Sequence, residues 1–159
     1  MSYVYIVTLP VEPLLPGAQF LPNEQLPLHC TLMHWFNLGP DLTVSDLGIE
    51  LGRWKHECRA GHIELVSKKP ALFGPQSDTP VHVLEPTRAL DSLHNWLLIF
   101  LIRKRCEFKR LYWVGAGYRA HVSTVNGQQF VPGSRHKATS LALIRRKDDN
   151  SKEVVDVYT

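Results

Sequence analysis

Two short apolar stretches constrain the fold of this chain more than any other feature. They are Leu28-His29-Cys30-Thr31-Leu32-Met33-His34-Trp35 and Arg119-Ala120-His121-Val122-Ser123-Thr124-Val125. Each reads as a strand in which a histidine stands two places before a hydroxyl side chain. Successive side chains on a strand alternate between faces, so positions i and i+2 project together, roughly 6–7 Å apart. His29 and Thr31 therefore share a face, as do His121 and Ser123, while Cys30 turns into packing. For the two pairs to meet, the fold must bring the beginning and the end of the chain side by side.

The rest of the chain is read around that requirement. Tyr3-Val4-Tyr5-Ile6-Val7-Thr8-Leu9 is β-branched and aromatic, a central strand stopped by Pro10. The prolines between Pro10 and Pro27 rule out a long regular element there and mark a loop. After the first His strand, Asn37-Leu38-Gly39-Pro40 is a stop. Thr43 is the N-cap of a helix, with Asp46 at the third helical position. Its apolar face runs Val44, Leu47, Leu51, Trp54 and Cys58, with Gly61 as terminator and Gly48 and Gly52 weakening it. Strands are expected over residues 62–66 and 80–84, with a turn at Phe73-Gly74. A second helix begins after Thr87, apolar at Leu90, Leu93, Leu97, Phe100 and Leu101, and ends near Arg103-Lys104-Arg105, whose charge offsets the helix dipole. Then come the second His strand, a turn at Asn126-Gly127, and a closing hairpin of residues 139–144 and 154–158. The expected architecture is one α+β domain over residues 1–159: two similar lobes, each an antiparallel sheet backed by a helix, with a groove between them.

Composition narrows the function classes. In 159 residues, 44% are hydrophobic and 21% charged, as in a globular protein, and the net charge of +3 permits a polyanion partner without demanding one. The apolar run at residues 96–102 is far below the ~20 residues needed to span a bilayer, and no targeting signal stands out. A cytoplasmic monomer with no membrane partner is expected. Cys30, Cys58 and Cys106 cannot all pair and are read as free thiols.

Two imidazoles and two hydroxyls facing one cleft suit a phosphodiester without a metal or cofactor. One imidazole takes a proton from the nucleophile, the other returns one to the leaving oxygen, and the hydroxyls donate to the phosphoryl oxygens. The competing reading is a pair of structural histidines on strands, since so short a triplet arises by chance. His34 falls on the opposite face from His29 if the strand is regular, and is read as packed or exposed. His82 and His94 are read as structural. His56, Cys58 and His62 lack a second ligand pair at zinc spacing. Trp35, Tyr118, Tyr3 and Tyr5 are candidates to stack on a base, Trp35 and Tyr5 on the cleft side by parity. Arg119, Arg135, His136 and Lys137 are candidates for a positive rim.

With His29-Cys30-Thr31 and His121-Val122-Ser123 in this order, and Phe73-Gly74, residues 81–86 and residues 90–94 between them, the chain resembles the two-histidine (2H) phosphoesterases, in particular the LigT-like or 2′-5′ RNA ligase group. The resemblance covers nearly the whole chain. It implies a bilobal, pseudo-twofold α+β fold and catalytic roles for His29 and His121. It also implies phosphate-binding roles for Thr31 and Ser123, and action on 2′,3′-cyclic phosphates or 2′-5′ linkages of RNA or small nucleotides. Ser123 departs from the commoner threonine, keeping the hydroxyl but losing the β-branch that restricts its rotamer. Degradation of cyclic di- or oligonucleotide signals by the same pair is one alternative. A non-catalytic RNA- or nucleotide-binding module is another.

Overall fold

The computed structural model describes residues 3–58 and 60–159. Among these, ten strands join in a mixed α/β arrangement dominated by a single antiparallel sheet. In chain order the elements are β1 (Val4–Pro10), β2 (Gln19–Phe20), β3 (His29–Asn37), α1 (Val44–Leu51), α2 (Trp54–Glu57), β4 (Ile63–Phe73) and β5 (Thr79–Leu84). Beyond these lie α3 (Arg88–Arg103), β6 (Glu107–Phe108), 3-10 turns at Leu111–Trp113 and Gly115–Gly117, then β7 (His121–Ser123), β8 (Arg135–Ala138), β9 (Leu141–Arg146) and β10 (Lys152–Tyr158). The strand order is β2-β10-β9-β1-β3-β7-β5-β4-β8, with β6 pairing alongside β3.

The two strands carrying the His-x-hydroxyl triplets are direct neighbours. β3 and β7 pair antiparallel through Cys30 and Val122, and both of these side chains are fully buried in the main core. That core also takes Leu47, Leu51, Trp54 and Cys58 from the first helical segment and Leu90, Leu93, Leu97 and Leu101 from α3. A smaller cluster of Ile6, Ala142, Ile144, Val154, Leu14 and Leu26 fills the opposite face of β1, β9 and β10 under the proline-rich loop. No helix among the described residues is long and apolar enough to cross a membrane.

Both expected N-caps form. The Thr43 hydroxyl accepts from the Asp46 amide, and the Thr87 hydroxyl from the Leu90 amide, each at 3.1 Å. The first helix departs from its expected length. It stops at Leu51, turns through Gly52 and Arg53, and resumes for one turn at Trp54. The apolar face is nonetheless as expected, because the break preserves the spacing. Gly48 has a packing reason to be glycine: a Cβ there would press on the Tyr158 hydroxyl at 2.9 Å. The Trp54 indole donates to the Tyr158 carbonyl at 3.0 Å, fastening this segment to β10.

The strand count also differs from expectation: β2, β6 and β8 are additional, β4 extends to Phe73, and the second His strand is only three residues long. β4 tolerates Pro70 because it pairs β8 only at Ile63 to Val66, leaving that side without a ladder partner at the proline. The Asn126-Gly127 turn forms with both residues at positive φ, +48° and +79°, the geometry that two-residue hairpin turns require. Val125 and Gln128 exchange backbone hydrogen bonds across it.

Candidate active site

Antiparallel pairing of Cys30 with Val122 sets His29 opposite Ser123 and Thr31 opposite His121. Directly opposed residues point the same way, so all four side chains rise from one face. The two histidines are diagonal neighbours, a relation that spans about 7–8 Å. The register also sets Thr8 of β1 beside Thr31, with Val81 and Val83 of β5 beside Ser123 and His121. Thr8 is fully buried and its hydroxyl has no partner, a third hydroxyl in the row that no His-x-hydroxyl spacing singles out.

The two imidazoles are held alike. His29 Nδ1 donates to the Pro27 carbonyl at 2.7 Å, and His121 Nδ1 to the Arg119 carbonyl at 2.8 Å, each two residues upstream. A carbonyl can only accept, so Nδ1 carries the proton in both rings and Nε2 is left for chemistry. Burial lowers the pKa of His29, opposed by the Pro27 hydrogen bond and reinforced by the charge of His121. Burial likewise lowers His121, opposed by the Arg119 carbonyl and reinforced by the Arg119 guanidinium. Both rings are therefore neutral at neutral pH, held by burial below the ordinary value of 6.5.

Two different walls flank the row. On the His29 side a cavity of about 360 Å³ is lined by His29, Ser123, Thr124, Gln25 and Lys152 under the loop at residues 22–26. Lys152 donates to the Glu24 carbonyl at 3.3 Å and supplies a cation to this cavity. On the other side, rings surround His121: Phe73 at 4.8 Å edge-on, Trp113 at 5.7 Å and His34 at 6.1 Å between centroids. The Arg119 guanidinium lies over Phe73 at 4.6 Å. Gly117 permits this wall, since a Cβ there would overlap the Tyr112 carbonyl and push away the turn that carries Trp113.

His34 stands on the face where a regular strand would not place it. Between the pairs Val7–Met33 and Tyr5–Phe36, β3 carries two residues against one of β1. A second irregularity lies between Thr8–Thr31 and Val7–Met33. Such bulges reset the alternation, so Leu32 and Met33 both enter the core while His34 turns to the cleft and stacks on Trp113 at 5.3 Å. Two carbonyls at the irregularity accept from side chains: Thr31 from the Tyr118 hydroxyl at 2.9 Å, and Leu32 from His94 Nδ1 at 2.7 Å. His94 Nε2 accepts from the Gly115 amide at 3.0 Å, so His94 is neutral and structural, and its ring stacks on Tyr118 at 3.9 Å. His34 Nε2 is buried without a partner, and burial together with the charges of His121 and Arg110 pushes its pKa down to about 4.

The aromatic candidates separate accordingly. Tyr118 supports β3 through its hydroxyl rather than offering a ring to the cleft, and burial raises its pKa. Tyr5 is 3% exposed and packs on Phe36 in the main core, on the face opposite Thr8, so its expected cleft parity is corrected by the register of β1. Trp35 lies on the cleft-side face as expected, but against the smaller cluster and beneath the Arg146 guanidinium at 4.6 Å. Trp113 is a site residue that sequence reasoning missed; its place in a Gly-rich segment gives no periodic signal. Of the rim candidates, Arg119 reaches the site. Arg135 pairs with Glu64 at 2.7 Å, His136 bonds the Pro10 carbonyl at 3.1 Å, and Lys137 lies opposite Glu64. Near His56 and His62, the Cys58 thiol donates to the His62 carbonyl at 2.8 Å. No group of three or more His, Cys, Asp or Glu among the described residues is placed to hold a metal.

Cys30, Cys58 and Cys106 are free and buried, and burial drives the Cys30 thiol up to about 12. No protein-family model matches the sequence, and no curated protein matches it either.

Proposed function

We propose that the protein is a phosphodiesterase of the 2H type, hydrolysing 2′,3′-cyclic phosphates or 2′-5′ linkages of RNA or small nucleotides. The observation that carries this reading is the direct pairing of the two motif strands at Cys30 and Val122, with each imidazole held at Nδ1 by the carbonyl two residues before it. The repetition of that hold at both motifs is also the best support for a bilobal, pseudo-twofold relation between the halves of the chain.

In this mechanism the phosphate sits over the row of Thr31, Ser123 and the two histidines, with Lys152 offsetting its charge. Bare Nε2 of one histidine removes a proton from water as it attacks phosphorus. Protonated Nε2 of the other delivers a proton to the departing ribose oxygen, and the hydroxyls donate to the non-bridging oxygens. Substrate binding favours the required charge state, because a phosphate anion beside a depressed imidazole raises its pKa. A panel of nucleoside 2′,3′-cyclic phosphates, 2′-5′ oligoadenylates and cyclic dinucleotides tests the proposal. His29→Ala and His121→Ala are each expected to lower turnover by about 10²–10⁴-fold, the usual worth of a general acid or base. Ligand binding with no turnover by the unaltered chain would replace this reading with that of a binding module.

A further inference from the structure

The charge of the chain is concentrated in one stretch. Residues 103–112, from the last turn of α3 to the first 3-10 turn, hold five of the 18 basic side chains and one of the 15 acidic ones, Glu107. That stretch alone carries +4 against +3 for the whole chain, so the remainder is slightly acidic. Arg105 pairs with Asp41 at 2.6 Å. Arg103, Lys104, Lys109 and Arg110 are exposed and make no ion pair among the described residues.

The same stretch and the turn of α3 before it gather exposed apolar side chains. Leu111 is 71% exposed and Tyr112 59%, and on the outward side of α3 Ile102 is 56% and Ile99 50% exposed. They share one edge of the molecule. Leu98, one turn before Ile102, lies against Gly115, and Asn95 and Ala116 line one cleft. The Leu111 carbonyl accepts from the Val114 amide, immediately before Gly115, at 3.2 Å. Trp113, next to Tyr112, turns inward to His121 at 5.7 Å, so this edge borders the candidate cleft.

Unpaired cations call for an anionic surface, and the apolar tips decide which kind. Aliphatic side chains gain nothing from a phosphate backbone, and tips that stand out on a 3-10 turn would need a matching groove on a protein. A fluid bilayer needs no such groove. It takes protruding Leu and Ile at the acyl boundary, seats a tyrosine ring among the headgroups and attracts the flanking cations. We propose that residues 99–112 form a membrane-contact face by which the protein lies on a bilayer rich in anionic phospholipids. The expectation of no membrane partner rests on the lack of a spanning segment, and lying on a surface requires none. The phosphodiesterase reading plays no part in this proposal.

The test is co-sedimentation of the full chain with vesicles of equimolar phosphatidylcholine and phosphatidylserine, and with vesicles of phosphatidylcholine alone. It compares the unaltered protein, Lys104→Ala/Lys109→Ala, Leu111→Ser/Tyr112→Ser, and Lys68→Ala/Lys69→Ala, an exposed pair on β4, as a distal loss of the same charge. The unaltered chain is expected to bind the anionic vesicles and leave the neutral ones. Removing two cations, each contributing about 1 kcal/mol at an anionic surface, should weaken binding about 30-fold. Removing the tips should weaken it about tenfold or more, and the distal pair should change nothing. All substituted side chains are exposed, and unaltered thermal unfolding confirms that the variants fold. No binding to anionic vesicles, as for a surface that serves RNA or an acidic protein, would overturn the proposal. So would equal binding to neutral vesicles, an equal loss in the distal variant, or binding that survives loss of the tips.

Discussion

His34 should make the protein sensitive to acid, and replacing it with phenylalanine should remove much of that sensitivity. Its ring is packed between His121 and Trp113, and Nε2 is buried without a partner. In the folded chain its pKa is about 4, against 6.5 for the ordinary group. As pH falls below about 6.5, the unfolded chain takes up a proton that the folded chain refuses, so folding loses free energy until the folded group also titrates near 4. At about 1.4 kcal/mol for each tenfold difference in proton affinity, this one side chain accounts for about 3 kcal/mol over that interval. Burial is the largest cause of the depression, and the charge of His121 adds to it. Phe preserves the ring and its stacking while removing the titration. Urea denaturation of the unaltered chain and of His34→Phe at pH 7, 5.5 and 4 checks this. The unaltered protein should lose about 3 kcal/mol more than the variant between the extremes. An identical pH dependence would mean that His34 is solvated, and that the bulge does not turn it into the ring cluster.

The depressed pKa values of His29 and His121 predict a bell-shaped kcat/KM profile for a 2′,3′-cyclic nucleotide, centred below pH 6.5, since kcat/KM reports the free enzyme. The kcat profile should lie to its alkaline side, because bound phosphate raises both values; a kcat/KM optimum above pH 7 would contradict the burial of the pair. Tyr118→Phe removes the 2.9 Å donor from the Thr31 carbonyl, leaving it only the 3.7 Å contact with the Cys30 thiol, and should cost about 0.5–1.5 kcal/mol in thermal or urea unfolding, the net worth of one hydrogen bond. No loss of stability would show that water replaces the hydroxyl there.

What was legible in the sequence was largely local chemistry. Thr43 and Thr87 announce their helices because a hydroxyl before an apolar-periodic run satisfies otherwise unpaired amides. Asn126-Gly127 announces its turn because both positions require positive φ. Alternation around Cys30 turns its side chain into the core, where the structure has it fully buried. What was not legible depended on partners distant in the chain. The bulge in β3 is stabilised by Tyr118 and His94, and nothing within residues 29–37 signals that the alternation will break and bring His34 to the cleft. The face of Tyr5 is illegible for a related reason, since it depends on the register of β1 against β3. Trp113 and Phe73 come beside His121 only once the Gly-rich turn and the β4–β5 hairpin have packed, a relation no periodicity encodes.

The central claim is that His29 and His121 attend one anion. Nitrogen-detected NMR of the imidazoles, titrated with inorganic phosphate and then with a nucleoside 2′-monophosphate, tests it without requiring turnover. The protons at Nδ1 of both rings should be present before addition, and the pKa of both histidines should rise together, saturating at one shared ligand concentration. A ligand that moves only one of the two resonances, or moves them with separate affinities, would place the histidines in different sites and contradict the account.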